Sequence, residues 1–140
     1  QSPIEELVQD VHTGGVFLLA RGTKHPILER AILRANFSRM PIRPDRTGEL
    51  DGSAAGEPVL FRDGSLVKAD GDATVYIISH GAKRPFLSED AFTSLGFSWH
   101  QIVTTTGVTL ALHPLGEPVD VGRVIEESYD EHRARLAQNL

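Results

Sequence analysis

The chain has 140 residues, 40% apolar and 24% charged, with a net charge of −5 and no cysteine. That length suits one ordinary domain or two very small ones, and that composition supports a packed core rather than wholesale disorder. The acidic balance argues against a generic nucleic-acid binder. The missing cysteines exclude disulfides, thiolate zinc sites, iron–sulfur clusters and cysteine nucleophiles, and no apolar run approaches the roughly 20 residues of a membrane span.

Taken in chain order, Gln1 reads either as a processed terminus or as the boundary of an excised piece. Ser2-Pro3-Ile4-Glu5 has the capping-box pattern with proline at the first helical position, which predicts a short helix from Pro3 to about Asp10 within a lead-in of residues 1–14. Val16–Ala20 is a strand-sized apolar run, followed by a glycine turn at Arg21-Gly22-Thr23 and a return strand from Lys24 to Leu28. Pro26 lies in that return strand, so it is expected to be an edge or to turn its donor-less side outward. A short helix is expected over Glu29 to Ala35, with Asn36 as a left-handed stop, and Pro41 to Ala55 reads as a loop rich in Gly, Pro, Asp and Arg.

The same order then recurs. Val75-Tyr76-Ile77-Ile78 repeats Val16-Phe17-Leu18-Leu19, and Gly81-Ala82-Lys83-Arg84-Pro85 repeats Gly22-Thr23-Lys24-His25-Pro26. Ala91 matches Ala31 after a one-residue insertion, Phe97-Ser98 matches Phe37-Ser38, and Gly56-Glu57-Pro58-Val59 returns unchanged as Gly116-Glu117-Pro118-Val119. Ser88 is placed to cap the second helix, whose apolar face is Ala91, Phe92 and Leu95, with Gly96 as its stop. Gln101 to Thr105 is strand-like, and Val108 to Leu112 fits one helical turn. Between the units, Leu60 to Lys68 reads as strand–turn–strand around Asp63-Gly64.

The expected fold is therefore α+β. Two duplicated β-rich units, residues 15–59 and 60–119, each a hairpin or meander plus a short helix, pack face to face or share a sheet. A longer helix, Val121–Asn139, closes the chain behind Asp120. Its narrow apolar stripe of Val121, Val124, Ile125, Tyr129, His132 and Leu136 is a candidate assembly interface.

Chemistry is sparse. No histidine is duplicated and no His-x-x-x-His pair stands on a helix, so no metal site and no cofactor are expected. Asp63, Asp70 and Asp72 lack the closing glutamate of a calcium loop and read as turn residues. There is no nucleophile elbow and no phosphate loop. A hydrolase with a site in 41–55 and 104–114 stays as a weak alternative to a non-enzymatic reading. The more specific signal is the duplicated basic turn. Lys24, His25, Lys83 and Arg84, with Tyr76 and Trp99 as aromatic partners, are the candidate ligand-binding residues for an acidic or sugar polymer. The competing account makes these cations guards of an edge strand. Trp99 has Arg39 as its counterpart and reads more readily as core than as a stacking platform.

The residues Asp63-Gly64-Ser65-Leu66-Val67-Lys68, Val75-Tyr76-Ile77-Ile78, Gly81–Phe86, Leu95–Trp99 and Pro114–Pro118 resemble a repeat of about 60 residues found in tandem in secreted bacterial cell-surface proteins. Its pattern is a "DGsLvK…vYli…GkkrpF" hairpin followed by "lG(f/y).W" and "PLG.P". The resemblance covers most of residues 63–119 well and 15–59 weakly, since the first unit has Arg39 for the tryptophan and Ala54-Ala55-Gly56 for the PLG. It implies an extracellular or cell-surface, non-catalytic module that attaches to a cell-envelope polysaccharide or to another surface protein, without nucleic acid or membrane span. A rival expectation is a structural subunit of a filament, sheath or virion, homo-oligomeric through edge strands and the terminal helix.

Overall fold

The computed structural model describes residues 5–120, and the chain divides into two compact units, Gln1–Arg62 and Asp63–Leu140. The first unit contains β1 (Glu6–Asp10), β2 (Val16–Ala20), β3 (Thr23–Ile27), α1 (Arg30–Phe37), β4 (Ile42–Asp45) and β5 (Ala54–Ala55), with sheet order β4-β1-β2-β3-β5. The second contains β6 (Leu66–Ala69), β7 (Val75–Ser79), β8 (Ala82–Pro85), α2 (Glu89–Ser94), a 3₁₀ turn (Trp99–Gln101), β9 (Ile102–Thr105) and α3 (Gly107–Leu110), with sheet order β8-β7-β6-β9. This is an α+β architecture of two β-rich units, each with its own mixed sheet. The expectation of a shared sheet is not met among the described residues, where each strand pairs within its own unit.

The repeat is longer than the sequence reading placed it. The segment expected to be an N-terminal helix is strand β1 over Glu6–Asp10, antiparallel to β2 and parallel to β4. In the second unit β6 pairs in the same way with β7 and β9, so Leu7↔Ile42 corresponds to Leu66↔Ile102. Leu7-Val8 is thus repeated by Leu66-Val67. The local capping pattern loses because Leu7 and Val8 are both buried. Consecutive residues point to opposite faces of a strand, so a central strand covered on both faces buries both. From the described residues, the lead-in belongs to unit 1, and only the last three residues of the expected linker, Leu66 to Lys68, lie in β6; Leu60 and Phe61 form no strand.

The expected loop over 41–55 also holds two strands, β4 and β5. Pro44 is tolerated because β4 is the sheet's edge. Asn36 is not a left-handed stop: α1 runs on to Phe37, and the buried Asn36 side chain donates to Leu60 O at 2.8 Å and accepts from Arg62 N–H at 3.2 Å. Gly96, its counterpart, does take a positive φ of 86° behind α2, and the Ser88 hydroxyl accepts from Ala91 N–H. Leu95 is exposed rather than part of the α2 core face. The terminal helix expected over 121–139, with its candidate interface, lies outside the described residues.

Both hairpins close with two residues, Arg21-Gly22 and His80-Gly81, all at positive φ. That is the turn whose twist matches its flanking strands. Phe86 N–H donates to Val75 O, so Tyr76↔Pro85 is a non-hydrogen-bonded pair and Pro85 turns its donor-less nitrogen away from β7. The outward-facing proline side was expected. On that side runs the returning chain: Val119 N–H donates to Pro85 O, and Val59 N–H to Pro26 O.

Each sheet is covered on two faces. In unit 2, Leu66, Val75, Phe86, Ala91, Phe92 and Val119 form one buried cluster, with Phe97 packed against it, on the α2 face. Alternation places Val67, Tyr76, Ile78 and Lys83 on the other, where Lys83 reaches the carbonyl of Leu110 at the end of α3. In unit 1, Val8, Leu19, Leu50 and Phe17 form the cluster equivalent to this second face.

Candidate functional site

The duplicated basic residues have duplicated structural tasks. Lys24 Nζ donates to Leu50 O at 2.9 Å, and Lys83 Nζ to Leu110 O at 3.3 Å and His113 O at 2.8 Å. Leu50 and Leu110 are repeat partners, and each of these carbonyls also accepts a turn N–H, from Ser53 at 3.2 Å and from His113 at 3.1 Å. Each ammonium also lies near the ring packed beside it, Phe17 at 5.8 Å and Tyr76 at 6.0 Å. His25 Nδ1 donates to Glu57 O and Arg84 Nε to Glu117 O, at 2.9 and 2.8 Å. These bonds tie the strand that carries Pro26 or Pro85, which cannot donate, to the Gly-Glu-Pro-Val segment beside it.

That segment needs its glycine. A Cβ at Gly56 would lie 2.6 Å from Thr23 Cγ2, and one at Gly116 would lie 3.1 Å from both Ala82 Cβ and Arg84 Cγ. Gly56 N–H and Gly116 N–H donate to Lys24 O and Lys83 O. The two motifs that recur most faithfully are therefore the two halves of one backbone clasp.

Within the second unit the candidate binding residues do not form one group. Lys83 and Tyr76 share the α3 face of the unit-2 sheet, whereas Trp99 stacks on Phe92 on the α2 face, with ring centroids 4.4 Å apart at 21°. The expectation that Trp99 packs in the core is not met: the residue is 48% exposed. One ring face lies on Phe92, while about half of the residue stays accessible. Phe92 is held in turn by edge-on contact with Phe86 and a tilted contact with Phe97. The indole is thus the outer plate of a fixed aromatic stack.

Beside it lies a groove of about 340 Å³, within the range of small-ligand clefts. The buried Val75, Phe86 and Phe92 form its apolar floor, and Ala73, Thr74, Leu87, Ser88, Glu89 and Trp99 complete its lining. The groove coincides with the places where unit 2 departs from unit 1. Trp99 replaces Arg39, Phe92 replaces Ile32, and the one-residue insertion falls within Ser88-Glu89-Asp90 against Glu29-Arg30. Comparing the two units residue by residue is the signal that would have singled it out.

The acidic turns serve the backbone. Asp45 accepts from Leu50 N–H and Glu49 N–H, which holds its carboxyl below the usual value. Asp10 is lowered in the same way, first by His12 N–H and then by Thr13 N–H. Asp63 and Asp72 accept from Gly81 N–H and Thr74 N–H. Arg43 lies between Glu6 and Glu49, at 3.1 and 2.9 Å, and these bonds raise its pKa. His113 is buried and donates through Nδ1 to Gly81 O. Among the described residues, no group of three His, Cys, Asp or Glu side chains is placed to hold a metal ion, and no helix is long and apolar enough to cross a membrane.

No family model matches the chain, and no curated protein matches it.

Proposed function

We propose that this chain is a non-catalytic, extracellular binding module that attaches to a polysaccharide of the bacterial envelope through the Trp99 groove of its second unit. The observation that carries the reading is the half-exposed Trp99, stacked on Phe92 beside a groove with an apolar floor. An aromatic plate of this kind presents a large contact area at little conformational cost. The duplicated clasp frees the reading from Lys24, His25, Lys83 and Arg84, whose bonds to backbone carbonyls account for their recurrence. Unit 1, with Arg39 and Ile32 at the corresponding positions, serves as scaffold.

Sedimentation with purified bacterial wall polysaccharide tests the proposal. The full chain is expected to pellet with the polymer and Trp99→Ala to stay in solution with unchanged circular dichroism. Equal pelleting of both would refute it.

A second reading, self-assembly on a surface, draws on Val108, Leu112 and Leu115, which are exposed in unit 2 where unit 1 has Gly48, Gly52 and Ala55. The fold does not require these apolar side chains, and a second copy of the chain is the occupant to test. Light scattering that shows one chain mass at every concentration would dismiss it.

A further inference from the structure

We infer that the sugar unit held against Trp99 is a pyranose without negative charge, one that donates hydrogen bonds to Glu89. This rests on the reading of the groove as a polysaccharide site and names the class of polymer.

Among the described residues, Glu89 is the only ionisable side chain lining the groove. Its side chain makes no hydrogen bond or ion pair among the described residues; its carbonyl alone is used, by the Thr93 hydroxyl. An ionised carboxylate only accepts hydrogen bonds, so its complement is a ligand rich in O–H or amide N–H groups. A uronate or phosphate would instead place a second negative charge within a few ångströms of it, and among the described residues no lining side chain supplies a compensating cation. Lys83 and Arg84 do not line the groove, and each is tied to backbone carbonyls. The remaining lining fits the same ligand. The Ser88 hydroxyl accepts from Ala91 N–H and keeps its own proton to give, and Thr74 adds a second hydroxyl. The apolar face of a pyranose covers the indole while its equatorial hydroxyls reach this rim. Glu89 lies in the segment that holds unit 2's one-residue insertion, so the acceptor and the plate are both departures from the duplicated scaffold.

The experiment titrates the full chain with chitotetraose, cellotetraose and tetragalacturonate, following the emission of Trp99, the sole tryptophan. At least one uncharged oligomer is expected to shift the emission, with an affinity that differs less than twofold between low and high salt. Tetragalacturonate is expected to leave it unchanged. Glu89→Gln should weaken the uncharged oligomer about fivefold, the difference between a charged and a neutral acceptor, and Trp99→Ala, read by calorimetry, about thirtyfold. If tetragalacturonate binds with steep salt dependence while both uncharged oligomers are silent, the charge class is wrong and the polysaccharide reading stands. If Glu89→Gln binds the uncharged oligomer as tightly as the parent chain, the role given to Glu89 is refuted. If none of the three binds and wall polysaccharide is not retained, both readings fall together.

Discussion

Replacing Lys83 by methionine separates a structural cation from a ligand-binding one. The ammonium donates to His113 O at 2.8 Å and to Leu110 O at 3.3 Å. A hydrogen bond from a charged group is worth about 1.5–3 kcal/mol net. The shorter bond falls in that class, the half-buried position lets solvent weaken it, and the longer bond adds little. Methionine keeps most of the apolar stem beside Tyr76, so packing contributes little and the expected loss is about 2 kcal/mol. With a urea slope of about 1–1.5 kcal/mol per molar for a unit of this size, the midpoint should fall by roughly 1.3–2 M. Urea unfolding followed by Trp99 emission reads unit 2 alone, since that unit holds the only tryptophan. Retention on wall polysaccharide in buffer should be unchanged. An unmoved midpoint together with lost retention would refute the clasp and return Lys83 to the ligand.

Other expectations follow from the same geometry. Gly116→Ala pushes a methyl against Ala82 Cβ and Arg84 Cγ, and should cost about 1–3 kcal/mol in the same urea assay. Arg21 holds φ at 52° in a two-residue hairpin turn, so Arg21→Asn, which suits that conformation, should stabilise unit 1 by about 0.5–1 kcal/mol, seen as a higher thermal midpoint. Asp45 has a folded pKa below its ordinary 3.8. Its ionised form is therefore favoured by folding, and its contribution is complete above the unfolded pKa and lost as pH falls through the folded one. Urea midpoints followed by far-ultraviolet circular dichroism should decline below about pH 4, and Asp45→Asn should flatten that decline; an identical acid slope in the variant would count against the assignment.

Much of this architecture is local and could be read directly. The hairpin turns follow from Arg21-Gly22 and His80-Gly81, the start of α2 from Ser88, and its end from Gly96, because each depends on a dihedral preference or a cap within a few residues. The duplication shows in the chain itself, since equivalent positions solve the same packing problem twice. What failed were the inferences that weighed local preference against partners distant in sequence. Pro3-Ile4-Glu5 signals a helix start, yet Leu7 and Val8 are claimed by β2 and β4 on either side. Residues 42–45 look like a loop until β1 offers them a parallel ladder.

The same division governs the site. The sequence by itself determined which residues recur, and so marked Lys24, Lys83, Gly56 and Gly116 as a set. Only the tertiary structure decided that the set is a clasp, because the carbonyls that receive those cations lie 26 to 30 residues further along the chain. Trp99 shows the converse. Its chemistry suits a core or a platform equally, and what separates the two is whether its second face meets protein or solvent. That outcome rests on Phe92, which covers one face, and on surroundings that leave about half of the residue exposed at the groove's rim.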